Sequence, residues 1–204
     1  KGESIWDRFS HVPGNVVDGS SGDVATGHHE RYEEDVALLA RLGVGAYRLS
    51  FSWPRLMPTG RGRLAAAGFD FYDRLLDSLV AAGVAPWVCL YHWDLPQALQ
   101  ERGGWTDRDT ALWFADYAQV AAERLGDRVH TFLMLNEPNV HALLGHLAGV
   151  HAPGLSGPSD FLAAVHHQNL AVGEGVARLR ELGSWPLGTV VNLQPIEAAS
   201  SSED

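Results

Sequence analysis

The segment Val129–Pro138 reads VHTFLMLNEP, a nearly unbroken apolar run that turns polar at Asn136 and Glu137 and stops at Pro138. Seven residues is strand length, and an apolar run without alternation is what a strand covered on both faces requires. Three other segments follow the same plan. Val44–Trp53 (VGAYRLSFSW) is closed by Pro54, and Val84–Tyr91 (VAPWVCLY) gives way to His92-Trp93-Asp94. Leu187–Leu193 (LGTVVNL) carries Asn192 near its end. Between them lie stretches of helical period: Glu30–Leu42, Phe69–Ala82, Thr110–Leu125 and Phe161–Leu182, each followed by a glycine stop signal (Gly43, Gly83, Gly126, Gly183). Helices alternating with doubly covered strands predict a parallel sheet clothed in helices.

Two parallel architectures compete. A doubly wound sheet usually keeps its ligand loop after the first strand, often glycine-rich. A (β/α)8 TIM barrel gathers polar and acidic residues at the C-terminal ends of several strands. Arg48-Leu49-Ser50, His92-Trp93-Asp94, Asn136-Glu137 and Asn192 fit the second pattern. Each helix–strand unit takes roughly forty to sixty residues, while a typical whole barrel has eight strands in ~250 residues or more. The expectation is therefore about half a barrel, with parallel strands and outer helices, forming one partial domain over residues 1–204. Such a half would have unpaired edge strands and an uncovered inner face. Pro13–Gly22 and Ala152–Pro158 read as surface loops.

Composition narrows the chemistry. The 204 residues are 46% hydrophobic and 20% charged, which describes a folded chain rather than a disordered one. Cys89 is the single cysteine, so an intrachain disulfide scaffold is excluded. The 25 acidic against 15 basic residues leave −10, with no basic cluster, so no nucleic-acid partner is expected. Gly60-Arg61-Gly62 lacks the pattern of a phosphate-binding loop. No apolar run approaches the ~20 residues of a membrane span, and Lys1 is not followed by a signal-peptide pattern, so no membrane partner and a cytoplasmic location are expected.

Glu137 is the sharpest chemical candidate. A carboxyl at the end of an apolar strand is removed from water, which raises its pKa toward the range a general acid needs. The alternative is a structural Glu paired with an arginine. Asn136 can donate to a substrate hydroxyl, and His92 beside Trp93 suits a sugar ring, whose C–H faces pack on indole while its hydroxyls meet imidazole. Both could equally be core residues. Arg48, inside an apolar strand, is expected to need a carboxylate partner, catalytic or structural. Asp94, followed by Leu95-Pro96, reads as a turn residue. Trp6, Trp105, Trp113 and Trp185 read as core or loop anchors. The histidines at 28, 29, 141, 146, 151, 166 and 167 form no zinc pattern, and no metal is expected. Neither is a serine-nucleophile elbow present.

Taken together, Asn136-Glu137-Pro138, the run Tyr91-His92-Trp93-Asp94-Leu95-Pro96-Gln97-Ala98-Leu99, Tyr47-Arg48-Leu49-Ser50 with Trp53-Pro54-Arg55, Gly149-Val150-His151-Ala152-Pro153-Gly154 and the opening Lys1–Asp7 resemble glycoside hydrolase family 1 over essentially the whole chain. The resemblance implies a retaining β-glycosidase, mostly of the β-glucosidase kind, on a (β/α)8 barrel with no metal or organic cofactor. By position it makes Glu137 the acid/base and Asn136 the neighbour that holds the sugar 2-hydroxyl. His92 and Trp93 become sugar ligands, Arg48 the arginine that orients the catalytic carboxylates, and Asn192 a polar position at the end of the fifth strand.

The family's nucleophile lies in a Glu-Asn-Gly motif, and none occurs here. The resemblance covers strands two to five, with the first strand expected before Lys1 and the last three after Asp204. Asn139 stands where the family usually has Trp. Glu197, beyond the last strand-like run, is not expected to replace the nucleophile. The expected substrate is a small β-glycoside, with a complementary barrel half or a second copy as protein partner. The alternative reading is an inactive half-barrel that self-associates or binds sugar weakly. The isolated chain is expected to turn over β-glycosides negligibly.

Overall fold

The structure, a computed structural model, describes residues 1–195. In chain order it forms α1 (Ile5–Ser10), α2 (His28–Leu42), β1 (Ala46–Ser50), α3 (Trp53–Leu56), α4 (Ala66–Ala81), β2 (Ala85–Tyr91) and α5 (Gln97–Gln100). Then come α6 (Asp109–Leu125), β3 (Thr131–Asn136), α7 (Pro138–Ala142), α8 (Pro158–Leu182) and β4 (Leu187–Val190). The four strands are hydrogen-bonded in sequence order, every neighbour pair parallel. The helices on which the sequence reading rested are α2, α4, α6 and α8, and the strands are the expected four.

Two boundaries differ for physical reasons. The first strand ends at Ser50 rather than Trp53, because Pro54 occupies the first turn of α3, where its missing N–H costs nothing. The short α1 lies below the length at which apolar periodicity is visible. Its start is nonetheless written in the sequence: Ser4 and Asp7 form a reciprocal capping box. Gly43 ends α2 at φ 68°, a left-handed conformation that costs glycine nothing, and its N–H returns to the carbonyl of Ala40.

The strand register sorts the side chains into two faces. Leu49, Val88, Phe132 and Leu187 form one row, and three of them are buried under the helices. Leu75, Leu76 and Leu79 of α4, with Phe114, Ala118, Ala121 and Leu125 of α6, complete that core. Trp53 stacks on Tyr117 at 4.9 Å, nearly parallel. Helix α8 lies so close that a Cβ on Gly175 would come within 3.0 Å of the Phe114 ring and 3.1 Å of the Met134 sulfur. The opposite face carries Arg48, Ser50, Trp87, Cys89 and Leu133. Trp87 there is 38% exposed, the consequence expected of an uncovered inner face. β1 and β4 are the outer strands of the sheet, each with one unpaired edge among the described residues. No described helix is long and apolar enough to cross a membrane.

Candidate active site

The C-terminal ends of β1, β2 and β3 converge. β2 hands over to His92 and then to Trp93, whose φ of 81° is unusual for a bulky residue. The strain is held by a hydrogen bond across the sheet: the Trp93 indole N–H donates to the main-chain carbonyl of Asn136 at 2.6 Å. Glu137, the next residue, is also left-handed at φ 45°. Pro138 disfavours the helical region for the residue before it, so the chain turns at Glu137 and α7 begins behind it. The Glu137 amide donates to the carbonyl of Val190 at 2.8 Å, and its carbonyl accepts from the amides of Val140 and His141. Two strained, non-glycine residues on adjacent strand ends are thus locked together, the kind of outlier pair that concentrates at functional sites.

Asn136 is buried and clamped at both of its oxygens. Trp93 holds the main-chain carbonyl, and the Arg48 guanidinium donates to the side-chain Oδ1. The amide nitrogen of Asn136 is left as the end free to serve a ligand. Arg48 itself is exposed on the inner face, and its partner is this amide. The expected carboxylate partner of Arg48 is absent among the described residues; a solvated guanidinium has no buried charge to compensate. His92 is exposed and meets Ser50, its Nδ1 3.2 Å from Oγ. Partial removal from water, aided by the Arg48 charge, pulls the His92 imidazole below its usual range, and the Glu137 carboxylate opposes that. Glu137 is half-buried.

Of the residues singled out by sequence, Arg48, His92, Trp93, Asn136 and Glu137 come together. Asn192 lies past the end of β4 with an exposed side chain, and its main-chain carbonyl accepts from the Asn139 amide at 3.0 Å. Asn139 therefore ties the start of α7 to the segment after β4. Glu197 lies outside the described residues.

Behind Trp93 the structure gathers a group that sequence reasoning had set aside. Buried His141 bridges the Tyr91 hydroxyl (3.2 Å) and the Gln168 amide (3.1 Å). Its ring lies 5.2 Å from that of His146 and 5.8 Å from that of Trp93, while His151 also lies 5.8 Å from Trp93. Burial holds His141 well below the ordinary imidazole range and His146 down at about 4. No group of three potential ligands capable of holding a metal exists among the described residues. Asp94 is more than a turn residue: burial lifts its carboxyl to about 6, and it lines a recess of about 410 Å³ with Ser50, Ser52 and His92. A larger cleft of about 850 Å³ runs along β1, lined by Arg48, Ser50, Arg55, Tyr72 and His92 and by the segment Gly22–Glu30 that leads into α2.

Ser50 was named by sequence only as a strand-end residue. The signal that it belongs to the site was its spacing, two residues from Arg48 on one strand, hence on the same face. Tyr91 and Gln168 left no such signal.

The fold and this strand-end cluster define a segment of a parallel (β/α)8 barrel with a polar site at its mouth. The model of glycosyl hydrolase family 1 matches residues 1–204, and the chain belongs to that family. It is 48% identical over 204 residues to β-glucosidase A of Thermotoga maritima, covering all of this chain and 46% of that protein. It is 47% identical to β-glucosidase A of Acetivibrio thermocellus over 206 residues, again 46% of that protein. Among solved structures, a family 1 β-glucosidase from Thermotoga maritima in complex with isofagomine lactam superposes with a TM-score of 0.97 at 48% identity. That match covers 99% of this chain and 46% of that one. The AHE enzyme from Alicyclobacillus herbarius gives 0.97 at 49% identity, over 100% and 45%. The chain thus spans about half the length of the curated relatives it matches.

Proposed function

We propose that this chain supplies the acid/base half of a retaining β-glucosidase site, with Glu137 as the acid/base. The observation that carries the reading is the clasp at the strand ends, where Trp93 and Arg48 hold Asn136 at its two oxygens and the left-handed Glu137 follows directly in the chain. Family membership and the relatives' β-glucosidase names support it. Retaining hydrolysis uses two carboxyl groups about 5–5.5 Å apart. The nucleophile carboxylate, on the other half of the barrel, attacks the anomeric carbon while Glu137 gives its proton to the departing glycosidic oxygen. Water then attacks the glycosyl-enzyme bond, Glu137 takes the water's proton, and the nucleophile leaves as carboxylate. Asn136 and His92 hydrogen-bond sugar hydroxyls, Trp93 packs against the ring, and Asn192 lines the mouth. Arg48 acts through Asn136 as a positioning residue. No cofactor enters this scheme, and the substrate is a small β-glycoside.

The test is complementation. Mixed with the remaining barrel half of a relative, the chain should gain hydrolysis of an aryl β-glucoside that neither part has alone. Glu137→Gln should then lower it by roughly 100- to 10,000-fold, the range of a positioned proton donor. Restored turnover indifferent to that substitution overturns the assignment. The second reading, a self-associating half-barrel, is favoured by the unpaired edges of β1 and β4 and by exposed Trp87. Elution at twice the chain mass, with no turnover on complementation, would establish it instead.

A further inference from the structure

Ser50 ends β1 and shares a register row with Cys89, three residues before His92. Its Oγ lies 3.2 Å from Nδ1 of His92, the one hydrogen bond this hydroxyl makes among the described residues. Both the large cleft and the smaller recess are lined by Ser50 and His92 together, so the pair stands where the two spaces meet. A neutral imidazole carries one proton, on either nitrogen, and the group bonded to the other nitrogen decides which. Two arrangements satisfy the contact. Either Nδ1–H donates to the hydroxyl, or the hydroxyl donates to a bare Nδ1 and the proton sits on Nε2.

The surroundings separate them. In the first arrangement the hydroxyl hydrogen needs another acceptor, and Ser50 Oγ has no second partner among the described residues. In the second, the one contact uses the hydroxyl hydrogen, and the Nε2–H is left for the cleft that His92 lines. We propose that Ser50 is a positioning residue that holds His92 as the Nε2–H tautomer, so that the imidazole presents an N–H donor to the cleft. Arg48 does the same for Asn136 by occupying its Oδ1, which leaves the amide N–H2 as the unengaged end. The β2 and β3 ends then offer two donors and no competing acceptor from these two side chains. Such an array accepts the lone pairs of neutral hydroxyls and disfavours a protonated amine, which has only hydrogens to offer. The consequence for turnover, an N–H donor held ready for a sugar hydroxyl, rests on the β-glucosidase reading.

The tautomer itself can be read on the 204-residue chain without any turnover. Long-range proton–nitrogen NMR correlations of the His92 ring, recorded well above the imidazole titration range, should show a protonated Nε2 and a bare Nδ1. Ser50→Ala should bring up a measurable Nδ1–H fraction, and Ser50→Thr, which keeps the hydroxyl, should restore the single form. A proton on Nδ1 in the unaltered chain, or a pattern unmoved by Ser50→Ala, overturns the proposal. In the complemented barrel Ser50→Ala should raise KM roughly tenfold with kcat little changed, the scale of one lost orienting hydrogen bond, with recovery in Ser50→Thr. Failure of complementation would count against the β-glucosidase reading and leave the NMR result standing on its own.

Discussion

The layer between sheet and helices and the rim at the strand ends are built on opposite terms. In the layer, Val88, Leu90, Phe132 and Met134 are fully buried, and two polar groups that enter are paired with main-chain carbonyls. Tyr117 donates to the Leu90 carbonyl at 2.9 Å, and the Trp53 indole donates to that of Gly60 at 3.1 Å. At the rim, by contrast, two non-glycine residues are left-handed. Both ring nitrogens of buried His146, together with Nδ1 of His151 and Oε1 of Gln168, have no hydrogen-bond partner among the described residues. A closely packed apolar layer supports a rim that breaks several local rules, and such breaches gather where chemistry is done.

The sharpest way to test that division is to delete a ring on each side of one strand pair. Phe132, with none of its surface exposed, fills the helix-facing layer, whereas Trp87 lies on the other face and is 38% exposed. Phe132→Ala should cost about 3–5 kcal/mol, the transfer free energy plus a cavity that tight packing prevents from closing. Trp87→Ala removes a larger ring yet should cost under about 1 kcal/mol, since what it loses is chiefly its stack on His130 at 5.9 Å. Urea unfolding monitored by circular dichroism measures both. Equal losses would mean that the inner face contributes to stability as the core does.

This same division explains what could be read from the sequence. β2 and β3 were legible because their residues are apolar on both faces, leaving runs without alternation that read as strands of a parallel sheet. Glu137 was legible because polarity switched on abruptly at the end of such a run. The contacts that make the rim a site were not. Ser50 meets His92, Arg48 meets Asn136, and Tyr91 meets His141 across long stretches of chain, and no local pattern announces those pairings. Arg48 shows the limit clearly. Sequence demanded a carboxylate for it, on the premise that an arginine in an apolar strand is buried. The absence of a cover over the inner face removes that premise and leaves an exposed guanidinium on an amide.

A weaker but more specific break of the comparison comes from acid. His146 is buried, with its imidazole held at about 4 by loss of water, against the pull of the His141 backbone and the Asp160 carboxylate. Unfolded, the same ring takes up a proton near its ordinary 6.5. Between those values the unfolded chain binds the extra proton, so stability present above about 6.5 is lost as the pH falls toward about 4. The loss from this one group is about 3 kcal/mol. His146→Leu removes both the titration and two unpartnered nitrogens. Its stability measured across that range should fall less than that of the unaltered chain by about that amount. Parallel curves would show that the rim admits water to the ring.

Asp94 tilts the other way, and the smallest expected effect follows from it. Burial raises its carboxyl from an ordinary 3.8 to about 6. Here the folded chain binds the extra proton, so the group favours the fold at low pH, and that advantage is lost as the pH rises through about 6. Ionising Asp94 in place therefore costs slightly less than the His146 loss, about 3 kcal/mol at neutral pH. Asp94→Asn, which keeps the shape and can still accept from Ser52, should stabilise the chain by about that amount at neutral pH and by little near pH 4. In the unaltered chain the Asp94 and His146 slopes oppose each other across the mildly acid range, so its profile there should be shallower than either group alone would make it. Asp94→Asn should steepen the acid loss left by His146, and His146→Leu should unmask the rise toward acid left by Asp94. Additivity of the two changes in the double variant would place the carboxyl and the imidazole in separate environments of the rim. A coupling between them would instead mean that one field spans the whole strand-end cluster.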